Sequence, residues 1–456
     1  MEKVIAVFDV GKTNKKLLLF NPKLELVYQD EQKIPPVLDD DGFECDDIDF
    51  IEEWVKTSLD RLLRGGKFNV LGVNFSTYGA SLLFLDNKGQ RITPLYNYLK
   101  PIPEIVQNQW YQDNGGKDEF CRKTASPPLE AMLNSGVQIL WLKRFKDHLF
   151  KKVNHILHFP QYLSFILTQK VVADYTSIGC HTGLWDFDTM TYHPWLLKEG
   201  IFLPQPINNS EKFQIDFGGN KLWVGIGIHD SSASLAPYLL AKVEPFILLS
   251  TGTWCINMNP FNHHPLTLEQ LKNDCLSYLS IDKKPVKSSR FFLGHIHDLN
   301  VNRLCEHFNV GNDYFKRVVA NDQLIKSFMK DGKNSSSAFF RFGVPDNFVD
   351  DQIDLNAFNS FEEAYHRLMF DLTRMNVRSI NLILDKTNGI KNIFISGGFA
   401  KNEIFVKLIA AFFPEMNVYT SNIDNASALG AAMVIADIFG EQPIPEINLN
   451  LKQVTF

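Results

Sequence analysis

One arrangement occurs twice in this chain and limits its fold more than any other feature. Val4 to Phe8 is an apolar run, Asp9-Val10-Gly11-Lys12-Thr13-Asn14 is a polar turn, and Leu17 to Phe20 is apolar again. The same order returns at Phe246–Leu249, Ser250-Thr251-Gly252-Thr253 and Cys255–Met258. A continuous apolar run marks a strand buried on both faces, and a short polar turn between two such runs makes a hairpin. Helical spacing follows the first hairpin: Ile51, Trp54, Val55, Leu59, Leu62 and Leu63 share a face before Gly65-Gly66 stops the helix. Strands are predicted at Val70–Phe75, Ile393–Ser396 and Val418–Thr420. Helices are predicted at Leu129–Phe145, Pro160–Leu167, Phe361–Leu384, Asn402–Phe413 and Ala426–Ile438. The aromatic- and proline-rich stretch Thr191–Pro206 reads as a surface connection. Strands alternating with helices imply an α/β fold. Two units, 1–239 and 240–456, each opening on a polar hairpin, predict two lobes with a cleft between them.

Composition narrows the function classes. The 456 residues suffice for two or three domains. The net charge of −6 argues against a general nucleic-acid binder, which carries a basic excess. Six scattered cysteines with no CxxC disfavour a cysteine zinc site and a disulfide framework. The opening Met-Glu-Lys-Val-Ile has no signal-peptide pattern, and no run of 18 apolar residues spans a membrane, so a cytoplasmic protein is expected.

Four short segments carry the chemistry. In the first turn, Gly11 lets backbone amides approach a phosphate, while hydroxyl, amide and ammonium groups donate to its oxygens. Asp9, at the strand end, is placed to hold Mg²⁺ directly or through water. A plain hairpin with solvated lysines explains the same residues about as well. The second turn sets Ser250, Thr251 and Thr253 around Gly252, a cradle for a terminal phosphate or an ordinary Ser/Thr turn. In Gly225-Ile226-Gly227-Ile228-His229-Asp230, Asp230 is either a helix N-cap or a general base, with His229 beside it. In Ser396-Gly397-Gly398-Phe399-Ala400-Lys401-Asn402, a diglycine before a helix either accepts a flat ring or ribose or makes a tight turn. Asn425-Ala426-Ser427-Ala428-Leu429-Gly430 reads as scaffold. His295, His297, Asp298, Cys305 and His307 fit no standard zinc spacing.

In this order, the segments resemble the FGGY carbohydrate kinases, members of the actin/hexokinase/Hsp70 superfamily, from residue 4 to about 436. The resemblance implies two related RNase H-like domains with an interdomain cleft. It assigns Asp9, Gly11, Thr13, Asn14 and Lys16 to phosphate and Mg²⁺, Asp230 to the catalytic base, and Thr251, Gly252 and Thr253 to the γ-phosphate. Gly397, Gly398 and Asn402 are assigned to adenosine. The implied partners are ATP and a sugar, with a homodimer left open. Ser76-Thr77-Tyr78-Gly79-Ala80-Ser81 is similar to the sugar segment of the rhamnulokinase and fuculokinase subgroup, placing Thr77, Tyr78, Ser81, His229 and Asp230 at the sugar. The departures are Lys12 in the phosphate hairpin, and Ser81 and Tyr98 where the family carries sugar-binding aspartates. The implied reaction is γ-phosphate transfer to a ketose, with a 6-deoxyketohexose such as L-rhamnulose or L-fuculose first. The alternatives are a pentulose of the xylulose type, a polyol, or a non-catalytic sugar and ATP sensor. A P-loop enzyme is excluded, since no GxxxxGK[ST] occurs.

Overall fold

The apolar run at residues 4–8 becomes a central strand with all five side chains fully buried. The structure, a computed structural model, describes residues 1–456 except 129–130, 242, 332–337, 341–342, 386, 388 and 441–446. The first sheet is built from β1 (Glu2–Val10), β2 (Lys15–Phe20), β3 (Leu26–Gln32), β4 (Phe68–Thr77), β5 (Lys212–Phe217), β6 (Asn220–Gly225) and β7 (Ile228–His229). Its order is β5-β6-β4-β1-β2-β3, with β7 also on β4. The hairpin β1–β2 is antiparallel and the β1–β4 pair parallel. The second sheet contains β8 (Phe246–Thr251), β9 (Cys255–Asn259), β10 (Cys275–Leu279), β11 (Pro285–Phe291), β12 (Asn392–Gly397), β13 (Asn417–Thr420) and β14 (Lys452–Val454), in the order β10-β11-β9-β8-β12-β13-β14. Again the hairpin is antiparallel and its first strand pairs in parallel with a later one, β12. The twice-repeated hairpin is thus the start of two sheets of related topology.

Helices cover both faces of the first sheet, which explains its unbroken apolar strand. Val4, Ala6, Phe8 and Val10 point to one side, onto α1 (Ile48–Arg64) and α3 (Phe159–Thr168). The alternate residues Ile5 and Val7 point to the other, onto Ala428, Leu429, Ala431 and Met433 of a late helix, α8 (Ala426–Met433). Helix α1 begins where the Asp47 carboxylate accepts from the Phe50 amide, and ends where the Gly65 amide returns to the Arg61 carbonyl. Its buried Ile51, Trp54, Val55 and Leu59 each contribute about 1.5–3 kcal/mol by leaving water. Helix α8 reaches the first sheet because its residues are small. A Cβ on Gly430 would lie 1.9 Å from the Ala233 carbonyl oxygen of α4 (Asp230–Leu240).

Several predicted elements are corrected. The helix expected from Leu129 begins at Ser135, as α2 (Ser135–Phe145); residue 129 lies outside the described residues. The last helix stops at Met433 and resumes as a 3-10 turn over Ala436–Phe439. Thr191–Pro206 is not a plain surface connection. It carries the short helix Trp195–Lys198, whose Trp195 is 1% exposed, donates to the Gly183 carbonyl at 2.7 Å and meets Trp110 edge-on. The aromatics there are core anchors. Among the described residues, no helix is long and apolar enough to cross a membrane.

Candidate active site

Parallel pairing brings the first group together. Asp9 stands opposite Ser76 on β4, Val10 opposite Thr77, and Thr77 opposite His229 on β7. Asp9, Thr77 and His229 therefore share the carboxyl ends of adjacent strands, where open α/β sheets bind ligands. His229 is the N-cap position of α4 but makes no side-chain cap, and Asp230 is the first helical residue, so the expected capping role for Asp230 does not occur. The partly exposed Asp230 carboxylate lies 3.3 Å from His229 Nε2. His229 is itself held by its backbone amide, which donates to the Thr176 hydroxyl at 3.1 Å; that hydroxyl in turn donates to Asp174 at 2.6 Å.

Asp9 has a partner that the sequence reading placed in scaffold. The Ser427 hydroxyl, on the first turn of α8, donates to Asp9 Oδ2 at 2.9 Å. Burial raises the pKa of Asp9 above the ordinary carboxylate value. The Asp230 charge raises it further, while Ser427, Ser76 and Lys16 oppose both. A carboxylate oxygen at the strand end, with the Asp230 charge close enough to act on it, is a hard donor, and so Asp9 fits the Mg²⁺ that the resemblance implies.

The first turn is closed by the Gly11 amide donating to the Asn14 carbonyl at 3.0 Å, with Thr13 and Asn14 exposed. Lys16 Nζ donates to Asn425 Oδ1 at 3.1 Å, at the start of α8. Lys12 points to neither bulk solvent nor Asp9. Its Nζ lies 2.7 Å from Asp46 Oδ2 and sits over the rings of Tyr78 and Tyr98. Buried Lys15 grips the other Asp46 oxygen at 2.7 Å and the Lys12 carbonyl at 2.9 Å, and the Tyr78 hydroxyl donates to Asp46 at 2.7 Å. Burial would raise the Asp46 pKa, but hydrogen bonds from Lys12, Lys15 and Tyr78 outweigh it and hold the carboxyl below its ordinary value. Asp46 escaped sequence reasoning, since nothing local marks it as a partner. Ser81 is buried, and its hydroxyl has no hydrogen-bond partner among the described residues.

The second group forms around the β8–β9 turn. The Gly252 amide donates to the Trp254 carbonyl at 2.9 Å, leaving Gly252 and Thr253 exposed. The Thr251 hydroxyl is turned inward. It donates to the Ser396 carbonyl at 2.5 Å and accepts from the Phe399 amide at 3.0 Å, tying the hairpin to the diglycine turn. Gly397 has a φ of +84°, and a Cβ there would lie 1.9 Å from the Thr251 carbonyl oxygen, so only glycine fits. Asn402 caps α7 (Glu403–Phe412) by accepting from the Phe405 amide at 3.0 Å. Gly252, Thr253, Gly398 and Asn402 together border a cavity of 650 Å³. Its opposite wall comes from α5 (Leu293–Phe308) and from residues 315–319. A larger cavity of 980 Å³, lined in part by Lys3, Leu240 and Phe439, contains none of the predicted residues. The smaller one is the candidate, because glycine-lined turns and the exposed Thr253 converge on it.

This geometry can be set beside known proteins. Residues 4–202 match the model described as the FGGY family of carbohydrate kinases, N-terminal domain, and residues 243–328 match the carbohydrate kinase FGGY, C-terminal domain. A rhamnulokinase of Yersinia pestis (strain Pestoides F) is 28% identical over 242 residues, which are 50% of this chain and 47% of that protein. The chain thus spans about half the length of the curated relatives it matches. A carbohydrate kinase structure from Novosphingobium aromaticivorans superposes with a TM-score of 0.80 at 22% identity, covering 99% of this chain and 94% of that one. The ligand-bound xylulose kinase from Lactobacillus acidophilus gives 0.74 at 18% identity, over 99% and 93%. These structures share the fold, and the two family domains occur here in their order on either side of residue 240. The chain belongs to the FGGY family of carbohydrate kinases.

Proposed function

We propose that this protein is a cytoplasmic, ATP-dependent carbohydrate kinase that transfers the γ-phosphate of ATP to a ketose hydroxyl. Residues 1–239 form the acceptor lobe with the first phosphate hairpin, and 240–456 the nucleotide lobe. The observation that carries the reading is Asp230, an ionisable group free of capping duty, beside His229 and close enough to Asp9 for their charges to interact. Asp230 accepts the proton of the attacking hydroxyl. The sugar oxygen forms its bond to the γ-phosphorus as the bond to the bridging oxygen breaks, and ADP leaves. The exposed Thr13 and Thr253 hydroxyls of the two turns face the phosphates, while the Gly11 and Gly252 amides close the turns themselves. Asp9 would hold Mg²⁺, which supplies charge neutralisation on the phosphate oxygens when bound. By the family resemblance Thr77, Tyr78, Ser81 and His229 lie on the acceptor side; the Tyr78 hydroxyl is committed to Asp46, and the Ser81 hydroxyl is buried without a partner among the described residues.

The first substrate choice is a 6-deoxyketohexose such as L-rhamnulose or L-fuculose, supported by the rhamnulokinase relative and the Ser76–Ser81 segment. A xylulose-type pentulose is second, favoured by the structural similarity to xylulose kinase. An ADP-release screen across ketoses, aldoses and polyols is expected to give a ketose hit. Asp230→Asn is expected to lose phosphorylation by a factor of about 10²–10⁴ while still binding MgATP. Near-normal turnover in that variant would sink the assignment.

A further inference from the structure

The 650 Å³ cavity has one wall that neither hairpin supplies. On α5, Asp298 lines it with a side chain 74% exposed, and the preceding His297 is buried. His297 Nδ1 lies 2.8 Å from Asp298 Oδ1, and its Nε2 lies 3.1 Å from the Tyr365 hydroxyl. That hydroxyl accepts a 2.7 Å hydrogen bond from Asn402 Nδ2, whose Oδ1 is already committed to capping α7. The direction of each bond follows. An amide nitrogen only donates, so the Tyr365 proton goes to His297 Nε2, and the ring proton sits on Nδ1 and points at Asp298. The hydrogen bond from His297 holds the Asp298 carboxyl below its ordinary value, with burial acting the other way. Among the described residues, the Asp298 carboxylate has no other hydrogen-bond partner.

The chain of bonds spans the cavity from its diglycine side to α5 and ends on an ionised, half-used carboxylate. The cavity is graded along the same direction. At one end the Gly294 amide donates to the Thr253 carbonyl at 3.0 Å, at the exposed glycine-threonine turn. Asp298 lies four residues further along α5, about 6 Å by helix rise. Next to His297, whose ring Phe315 meets edge-on at 5.1 Å, Phe315, Val318 and Val319 offer apolar surface, with Lys316 and Arg317 between them on the same wall. A carboxylate would repel the phosphates of a nucleotide and gains nothing from an apolar ring face. Of the groups that donate, the adenine amino edge is the far end of the nucleotide, whereas the vicinal diol lies nearer the phosphates, as Asp298 lies about one helical turn from the Thr253 turn; acidic residues read ribose this way in dinucleotide sites.

We propose that Asp298 determines nucleotide specificity by accepting hydrogen bonds from the ribose hydroxyls, with His297, Tyr365 and Asn402 as positioning residues that hold it there. This rests on reading the cavity as the nucleotide site. The test is calorimetric titration of the full chain with MgATP, 2′-deoxy-ATP and 3′-deoxy-ATP. The wild type is expected to bind ATP on the order of tenfold or more tighter than at least one deoxy analogue, because a carboxylate left unpaired loses a charge-assisted bond. Asp298→Ala, at an exposed position, is expected to bring that ratio close to one. Tyr365→Phe should reduce the ratio as well as the affinity, whereas a merely structural tyrosine would move only the affinity. Equal binding of all three nucleotides by the wild type, or an unchanged ratio in Asp298→Ala, overturns the role of Asp298 and leaves the cavity assignment standing. A wild type that binds none of the three overturns both.

Discussion

Lys15 leaves the first hairpin with 1% of its side chain exposed, its Nζ between the Asp46 carboxylate and the Lys12 carbonyl. It therefore fixes both the shape of the first hairpin turn and the charge beside it. Breaking a buried pair leaves an uncompensated carboxylate, so Lys15→Met is expected to lower unfolding stability by about 3 kcal/mol, read from the urea midpoint. An unchanged midpoint would refute the role. The pH response has a definite sign. The native pKa of Asp46 is depressed, so its contribution is complete above the unfolded carboxylate value and is lost as pH falls through the native one. Removing Lys15 raises the native pKa, so the acid loss of stability attributable to Asp46 should shrink in the variant. The sequence displays Lys12, Lys15 and Lys16 as three similar cations in one turn. Which of them is buried depends on Asp46, 31 residues from Lys15, and no local pattern reveals that.

At the scale of elements, the alternation of apolar and polar runs located the hairpins, and the helical period located α1 and α6 (Phe361–Ile383), which begins where Ser360 accepts from the Glu363 amide. These signals are local: side chains return to the same face every second residue in a strand and every three or four in a helix. The small-residue segment at 426–433 was legible as a close-packed helix, but its neighbour was not. Gly430 packs against the backbone of α4, so Gly430→Val is expected to cost about 1–3 kcal/mol by overpacking. It should also weaken the Ser427–Asp9 contact one turn earlier in the helix. A thermal midpoint equal to that of the wild type would show that α8 moves away without penalty. The stretch Thr191–Pro206 reads as a surface connection because prolines and aromatics look like loop composition, while the burial of Trp195 depends on Trp110, 85 residues earlier, and on the Gly183 carbonyl.

Across the whole molecule, the division near residue 240 hides a dependence. The Ile5 and Val7 face of the first sheet is covered by Ala428, Leu429 and Met433, from the last tenth of the chain. A fragment 1–239 would expose that face, so it is expected to be aggregation-prone and to lack a cooperative transition in circular dichroism melting. A monodisperse fragment melting sharply near the wild-type midpoint would contradict this. By itself, the sequence determined the α/β class, the paired hairpins and the order of the chemical segments, and through them the family. Each of these is written in neighbouring residues. Only the tertiary structure decided which polar groups meet: Ser427 with Asp9 across 418 residues, Asp46 with two lysines, and His297 with Tyr365. The reason is physical: a hydrogen bond needs its atoms within about 3 Å, and such proximity is set by how distant elements pack, not by sequence spacing.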